Sequence, residues 1–182
     1  TGDRYEYAGT SHSVTIPATL RDSLMARLDR FAPVKEIAQI GASIGRKFSY
    51  ELVSAVAPMP QARLDDALTQ LTNSGLAFRR GTPPDATYTF KHALVQDAAY
   101  QSLLKSTRAE LHRRIAGALE AHFPAIVEGQ PETVAHHYAE AGLPEAAVHW
   151  LRAGELAAGR YAHLEAVAHL RRGLSSVDGL ED

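Results

Sequence analysis

Apolar residues in the first half of the chain recur at helical spacing in four short segments. The first places Leu20, Leu24, Leu28 and Phe31 on one face, and Pro33 ends it. The other three are centred on residues 34–40, 52–56 and 64–71, with closing glycines between 41 and 45, Ser49 as an N-cap and Gly75 just past the last helix. The pattern therefore predicts a run of short helices over about residues 17–75.

The period changes after Gly75. Residues 76–80 (LAFRR) and 87–91 (TYTFK) are short runs that favour strands, and the intervening GTPPD at 81–85 is typical of a turn. Three helices followed by a β-hairpin is the order of a winged helix-turn-helix. We therefore predict a winged-helix-like domain over residues 17–91.

Residues from 92 onward are predicted to be entirely helical. Leu111, Ile115, Leu119 and Phe123 recur every four residues, which gives one helix a continuous apolar stripe. Thr107 and Glu110 have the spacing of a capping box at the start of that helix. Pro124 is expected to end it, and residues 128–131 (EGQP) are expected to form a loop.

The last fifty residues contain two similar segments, as in an internal repeat. EAAVHWLRAG at 145–154 resembles EAVAHLRRGL at 165–174, with small residues such as Gly154, Ala166 and Gly173 at positions where helices can pack closely. This pattern predicts TPR-like helices over residues 131–182, after connecting helices over 92–130. The fold class expected is mainly α.

Composition narrows the function classes. The chain has 182 residues, 45% of them apolar, a formal charge of −2 and no cysteine. A chain without cysteine has neither disulfides nor thiolate chemistry, which suits a cytoplasmic protein, and no segment approaches the roughly 20 apolar residues that span a bilayer. The slight negative charge disfavours a protein that depends on phosphate contacts.

No catalytic constellation is evident in the sequence. The neighbours His136 and His137 would point about 100° apart on a helix, so they are expected to be structural or surface histidines and not metal ligands. The chain has no H-E-x-x-H and no P-loop motif. The acidic pair Asp65 and Asp66 is expected to face water.

Several strings, taken together, carry a family resemblance. They are IPATL at 16–20, ARLDR at 26–30, IGRKFSYEL at 44–52, FKHALVQDAAY at 90–100, LHRRIA at 111–116 and HHYAEAG at 136–142. The chain resembles the region that follows the ATPase in bacterial class III adenylate/guanylate cyclases fused to an AAA/STAND-type ATPase and TPR repeats. LuxR-type regulators have a similar middle region.

This resemblance implies a longer parent protein. Its cyclase and its P-loop ATPase, with their ATP and divalent metal, would lie upstream, and residues 1–16 would be a linker or the tail of the ATPase. The chain itself would bind no cofactor and catalyse no reaction. Its expected partners are the upstream ATPase and an unknown protein at the TPR-like end, with no membrane partner.

The alternative is a DNA-binding transcriptional regulator. In a winged helix the third helix enters the major groove, but here residues 61–71 (QARLDDALTQL) carry one Arg and two Asp. The wing is more basic, with Arg79, Arg80 and Lys91. Protein contact is therefore favoured over DNA.

The remaining candidate residues are expected to contact protein or nucleotide. Lys105, Arg108, Arg113 and Arg114 form the densest basic cluster, either a solvated face or a docking surface. Trp150 is a candidate contact for a partner of the TPR-like end. His92, where the hairpin meets the next helix, either caps that helix, packs in the junction or, by analogy with STAND ATPases, senses the nucleotide of the neighbouring ATPase.

Overall fold

The computed structural model describes residues 32–178 together with Ala26 and Leu28. The helices are α1 (Ala32–Ile44), α2 (Tyr50–Val56), α3 (Gln61–Asn73), α4 (Ala93–Gln101), α5 (Lys105–His122), α6 (Pro124–Gly129), α7 (Pro131–Glu140), α8 (Ala146–Gly159) and α9 (His163–Asp178). The strands are β1 (Lys47–Ser49), β2 (Ala77–Arg80) and β3 (Thr87–Phe90). The expectation of a mainly α protein is confirmed.

The first six elements follow the order α1, β1, α2, α3, β2, β3. The strands form one antiparallel sheet in the order β1-β3-β2. Phe48 of β1 is paired with Tyr88 of β3, and Arg79 of β2 is paired with the same tyrosine on its other side. The hairpin was predicted from its sequence, whereas β1 was not, because three residues are too few to show a period.

Aromatic rings join this sheet to α1. Phe48 stacks on Tyr88 with ring centroids 5.6 Å apart, and it meets Phe90 at 5.4 Å. The ring also lies against the backbone of Gly41, where an added Cβ would be 2.6 Å from Phe48 Cε1. Helix α1 continues through Gly41 and ends at Ile44, directly before Gly45 with φ +151°, so the predicted end between residues 41 and 45 is confirmed. Gly41 itself provides close packing.

Two predicted helix boundaries are confirmed by their cap geometry. The Ser49 hydroxyl accepts a hydrogen bond from the Leu52 backbone N–H at 3.2 Å, as an N-cap does. Gly75 follows α3 with φ +71°, and the Leu76 N–H reaches back to the Leu71 carbonyl. The ends of these two short helices could thus be predicted from residues close to them in the sequence.

Helices α5, α7, α8 and α9 pack side by side in chain order. The apolar stripe of α5 is confirmed, since Leu111, Ile115 and Leu119 are buried. Two predictions here were wrong. Leu104, with no side-chain cap, precedes α5, so Thr107 and Glu110 form no capping box. The predicted loop over residues 128–131 is mostly helical, because residues 124–129 form the short helix α6. The predicted end of α5 before Pro124 is confirmed, since this proline follows α5 and begins α6.

Small residues allow α8 and α9 to approach closely. A Cβ on Gly154 would lie 2.8 Å from the Leu170 side chain, and one on Gly173 would lie 3.2 Å from Trp150 Cβ. Ala166 is buried in the same interface. The predicted role of small residues at these positions is therefore confirmed.

One continuous core joins the two halves. It runs from Leu28 and Val34 through the sheet to Val134 and Trp150. Polar contacts reinforce the junction, since Gln39 of α1 donates to the Ser102 hydroxyl at 2.9 Å. Helix α1 packs on both α4 and α5, and α2 packs on α5, so the two halves form a single packed body.

The predicted linker over residues 1–16, and most of the predicted helix around Leu20 to Phe31, lie outside the described residues. Within that helix, Ala26 and Leu28 are helical, and Leu28 is fully buried. No helix in the described part of the chain has both the length and the apolar character needed to cross a bilayer.

Candidate functional site

The basic side chains of the predicted wing lie on its open surface. Arg79 and Arg80 of β2 are exposed, and Phe78 beside them keeps 58% of its surface accessible. The ammonium group of Lys91 lies 5.4 Å from the centre of the Phe78 ring. Alternation along the strand places Phe78 and Arg80 on one face of the sheet and Arg79 on the other, beside its register partner Tyr88. These three exposed residues and Lys91 are called here the wing patch, a basic and aromatic region around the hairpin.

Helix α3 does not extend this positive surface. Asp65 accepts a hydrogen bond from the Tyr50 hydroxyl at 2.6 Å, and Gln61 donates to the same hydroxyl oxygen at 3.1 Å. Burial and the nearby Asp65 carboxylate raise the pKa of Tyr50 above its usual value. Asp65 is thus tied to α2 instead of facing water freely, whereas Asp66 is exposed as predicted.

His92 is exposed and directly precedes α4. Its side chain forms no capping hydrogen bond, although its backbone carbonyl accepts from the Val95 N–H at 3.0 Å. It therefore neither caps the helix through its ring nor packs in the junction. The nucleotide-sensing hypothesis for this exposed imidazole stays a prediction.

The predicted basic cluster is dispersed over different surroundings. Arg113 pairs with Glu110 at 2.6 Å, while Arg114 reaches across to the Val56 carbonyl at the end of α2. Arg108 lies over the Tyr100 ring at 4.7 Å, and Lys105 is exposed. The four residues therefore do not form one docking surface, because α5 turns each toward a different neighbour.

Trp150 is buried, with 4% of its surface accessible. Its indole stacks on His169 with ring centroids 5.4 Å apart, and the Arg172 guanidinium lies 5.1 Å from the ring centre. The tryptophan thus fills the α8–α9 interface. A partner would meet Arg172 before the indole that supports it.

A buried histidine pair lies where α5 meets α7. His112 and His137 are each 2% exposed, and their Nδ1 atoms are 2.8 Å apart. On its other side His112 Nε2 is 3.0 Å from the Tyr100 hydroxyl, which lies 3.4 Å from a Glu140 carboxylate oxygen. A chain of polar contacts therefore runs from the core to the surface.

Only one direction of donation satisfies all three contacts. Each neutral imidazole carries a single N–H, so the two Nδ1 atoms share one proton. Because the Tyr100 hydroxyl donates to Glu140, its oxygen accepts from His112 Nε2–H, and His112 Nδ1 then accepts from His137 Nδ1–H. This assignment makes both rings neutral, with different tautomers.

Burial keeps this pair uncharged. It lowers the pKa of His112 to about 4, against a smaller opposing effect of the Glu140 carboxylate. Burial and the neighbouring His112 lower the pKa of His137 to about 3. A second proton at the Nδ1–Nδ1 contact would place two N–H donors face to face at 2.8 Å. Neutral rings are therefore the state that holds α5 against α7.

Two surface depressions flank Glu140 and His136. The first, of about 320 Å³, lies between the end of α1 and the Tyr100–His112 pair and is also lined by Asp97. The second, of about 470 Å³, is lined on α9 by Arg171 and Arg172. Because Glu140 and His136 belong to both, the two depressions share a wall on α7.

A second polar cluster lies between α5, α7 and α8. The Tyr138 hydroxyl donates to Glu120, whose other carboxylate oxygen is 3.0 Å from His149 Nε2. Tyr138 and His149 also stack, with ring centroids 5.6 Å apart. Burial and the Glu120 hydrogen bond raise the pKa of Tyr138. All three side chains are engaged with one another, so the cluster is structural.

The far side of the α8–α9 pair exposes an apolar surface. Leu151, Leu170, Leu174 and Val177 line a groove of about 410 Å³ there. Each of these side chains is at least 40% exposed. This face differs in character from the arginine-bearing depression on the other side of α9.

The described residues offer several surfaces suited to binding. Among residues 32–178, no three His, Cys, Asp or Glu side chains come together in a way that could hold a metal ion. The histidine pair is closed by its own hydrogen bonds, and each half of the chain presents basic side chains at its surface. Chemically, these surfaces can bind anionic groups.

Sequence reasoning missed the histidine pair and the α7–α9 depression. The adjacent His136 and His137 were expected to point apart, but their rings lie 5.5 Å from each other and both pack against His112 of α5. The one signal available was that His112 lies between the apolar positions Leu111 and Ile115 of the α5 stripe. A histidine at such a position is a candidate for burial.

Comparison with known proteins identifies one relative in Rhizobium meliloti (strain 1021), named uncharacterized protein R02095. It is 29% identical over 171 residues, which cover 93% of this chain and 16% of that protein. No protein-family model and no solved structure matches the chain. The chain thus spans about a sixth of the length of the relative that it matches.

Proposed function

We propose that this chain is a non-catalytic regulatory and protein-interaction segment of a larger signalling protein, similar to a bacterial adenylate/guanylate cyclase with a STAND-type ATPase. Its first half is a winged-helix-like domain that docks on the ATPase of the same protein. Its second half is a TPR-like array that binds a further protein. The cyclase and ATPase chemistry, with ATP and divalent metal, belongs to other parts of the cytoplasmic parent.

The observation that carries this proposal is the shared core of the two halves. Residues from Val34 to Ala153 belong to one apolar cluster, so the sheet and the helical array are held in a fixed relation. A packed body of this kind changes orientation as a unit, which suits an element that relays a docking event. A flexible tether between the halves would not have this property.

The element order supports the winged-helix-like assignment. Three helices and a three-stranded sheet in the order β1-β3-β2 surround one core, with the β2–β3 hairpin at the edge. The wing patch at this hairpin supplies exposed charge and an exposed ring, which are features of protein contact surfaces. We place the contact with the ATPase at this patch and at the neighbouring His92.

Side-by-side packing of α5, α7, α8 and α9 supports the TPR-like assignment. Each helix contacts its neighbours in the row, as in a quasi-linear array, and α5 also packs on α1 and α2. Arg114 links the row to α2 through the Val56 carbonyl. Movement of the first half against the ATPase would therefore carry the whole row with it.

Deleting the chain from the parent protein tests the proposal. We expect the deletion to retain cyclic-nucleotide synthesis but to change its dependence on ATP and ADP. Neutralising the wing patch by Arg79→Gln and Arg80→Gln should reproduce that change, whereas Arg152→Gln with Arg160→Gln, at exposed positions on and just after α8, should not. An unaltered nucleotide response in the deletion would refute the proposal.

DNA binding by the winged-helix-like half is the second candidate. It is favoured by the three exposed cations of the wing patch and disfavoured by the exposed Asp66 on α3. If it holds, duplex binding should weaken steeply with salt and fall when Arg79 and Arg80 are neutralised. Failure to retain a duplex at low salt would remove this candidate.

A further inference from the structure

The depression between α7 and α9, called here the basic groove, has a strong imbalance of charge. Arg171 and Arg172 line its α9 wall, and His136 and Glu140 line its α7 wall. Neither arginine forms an ion pair with any residue that the structure describes, whereas Glu140 already accepts from Tyr100. Two unneutralised guanidinium groups thus face one engaged carboxylate.

Trp150 lies beneath the Arg172 side chain and orients its guanidinium group for a ligand. Its guanidinium lies 5.1 Å from the centre of the Trp150 ring, and His169 stacks on that ring at 5.4 Å. The close approach of Gly173 to Trp150 fixes the distance between the two helices. Stacking on an aromatic ring leaves the N–H edge of a guanidinium free, so Arg172 can still donate two parallel hydrogen bonds to a carboxylate.

The opposite wall indicates what else the ligand must offer. Glu140 can accept hydrogen bonds but repels any anionic group, so a ligand bound by the arginines should also present a donor that faces Glu140. A peptide with Asp or Glu side chains meets both needs, because its carboxylates pair with the arginines and its backbone N–H groups can donate to Glu140. A phosphodiester backbone has no such donor.

We propose that the basic groove binds an acidic peptide segment of a partner protein, with Arg171 and Arg172 as its carboxylate-binding residues. This inference rests on the proposed function and deepens it by naming the chemistry of the partner of the helical half. Trp150, expected from its sequence to contact the partner directly, acts through Arg172 as a positioning residue.

Fluorescence anisotropy with a fluorescein-labelled hexaglutamate peptide and the 182-residue chain tests the inference. The matched neutral probe is hexaglutamine. We expect hexaglutamate to bind saturably, hexaglutamine to bind at least about tenfold more weakly, and Arg171→Gln with Arg172→Gln to weaken hexaglutamate by about tenfold or more. The Arg152→Gln, Arg160→Gln variant removes the same charge on and just after α8 and should change affinity by less than about twofold.

A second readout locates the ligand. Trp150 is the one tryptophan of the chain, so its emission should change with the same midpoint as the anisotropy when a carboxylate engages Arg172. Equal binding of hexaglutamine, an equal loss in the control variant, or no saturable change in Trp150 emission would each overturn the inference. Thermal melting by circular dichroism checks that both double variants are folded.

This outcome is separable from that of the proposed function. Docking of the chain on the ATPase depends on the wing patch, on the other half of the molecule. If the chain docks on the ATPase but does not bind the acidic peptide, only the inference about the basic groove is refuted. Loss of docking with peptide binding retained would refute the docking proposal alone.

Discussion

His112 and His137 meet through their Nδ1 atoms at 2.8 Å in the buried interface of α5 and α7. The two residues are distant in the sequence, and each ring is almost wholly excluded from water. A neutral pair with unlike tautomers is the arrangement that satisfies this contact. The stability of the helical half is therefore tied to the protonation of two imidazoles.

The chain should lose stability as the pH falls below about 6.5. The folded pKa values of His112 and His137 are lowered to about 4 and about 3, so below 6.5 the unfolded chain binds more protons than the folded one. The loss at pH 5 relative to pH 7.5 should be about 2–4 kcal/mol, measured by urea unfolding at the two pH values.

The double variant His112→Leu, His137→Leu is the control for this pH dependence. Without the two imidazoles, the difference between pH 7.5 and pH 5 should shrink by at least half. The groups that face the pair, Glu140, His136 and Arg108, remain in that variant. An unchanged pH dependence would mean that other groups cause it.

The same pair should show strong energetic coupling. His137→Leu alone leaves His112 Nδ1 buried without a partner, which should cost about 1–3 kcal/mol, while removing both rings should cost less than the sum of the single changes. A double-mutant cycle from urea unfolding at pH 7.5 measures the coupling. Additive single variants would contradict the hydrogen bond assigned here.

Replacing Arg114 should weaken the junction between the halves. Arg114→Met leaves the Val56 carbonyl without its donor and should cost about 1–2 kcal/mol in the free energy of unfolding. Arg113→Met, the adjacent residue, breaks only an exposed pair with Glu110 and should cost distinctly less. Equal effects of the two variants would show that Arg114 does not bridge the halves.

Two helical glycines should respond oppositely to alanine. In Gly41→Ala the new Cβ would lie 2.6 Å from the Phe48 ring, and this overpacking should cost about 1–3 kcal/mol. Gly117, on α5, has nothing within 4 Å of an added Cβ, so Gly117→Ala should stabilise by about 0.5–1 kcal/mol. Thermal unfolding of both variants checks the packing of α1 against the sheet.

Features governed by neighbouring residues were predictable from the sequence. The Ser49 cap, the Gly75 helix end, the hairpin and the Leu111–Ile115–Leu119 stripe all depend on spacing within a few residues. Contacts between distant segments were not. The close packing of Gly41 against Phe48, for example, is known only once β1 is placed.

The candidate site shows the same division. Lys105 to Arg114 look like one basic cluster along the chain, but the helix separates them, and their neighbours come from α2, α4 and α5 itself. The wing patch was found because its residues are adjacent on one hairpin. The basic groove was not predicted, because it forms only where α7 and α9 lie side by side in the fold.

The central claim is that the chain docks on the ATPase of its own parent protein in a nucleotide-dependent way. Calorimetric titration of the 182-residue chain into the separately expressed ATPase segment, first with ADP and then with a non-hydrolysable ATP analogue, tests it most directly. We expect the affinity of the chain for the ATPase segment to differ by about tenfold or more between the two nucleotides. This difference should be lost in His92→Ala and in the wing-patch variant. Absence of binding in both nucleotide states would contradict it.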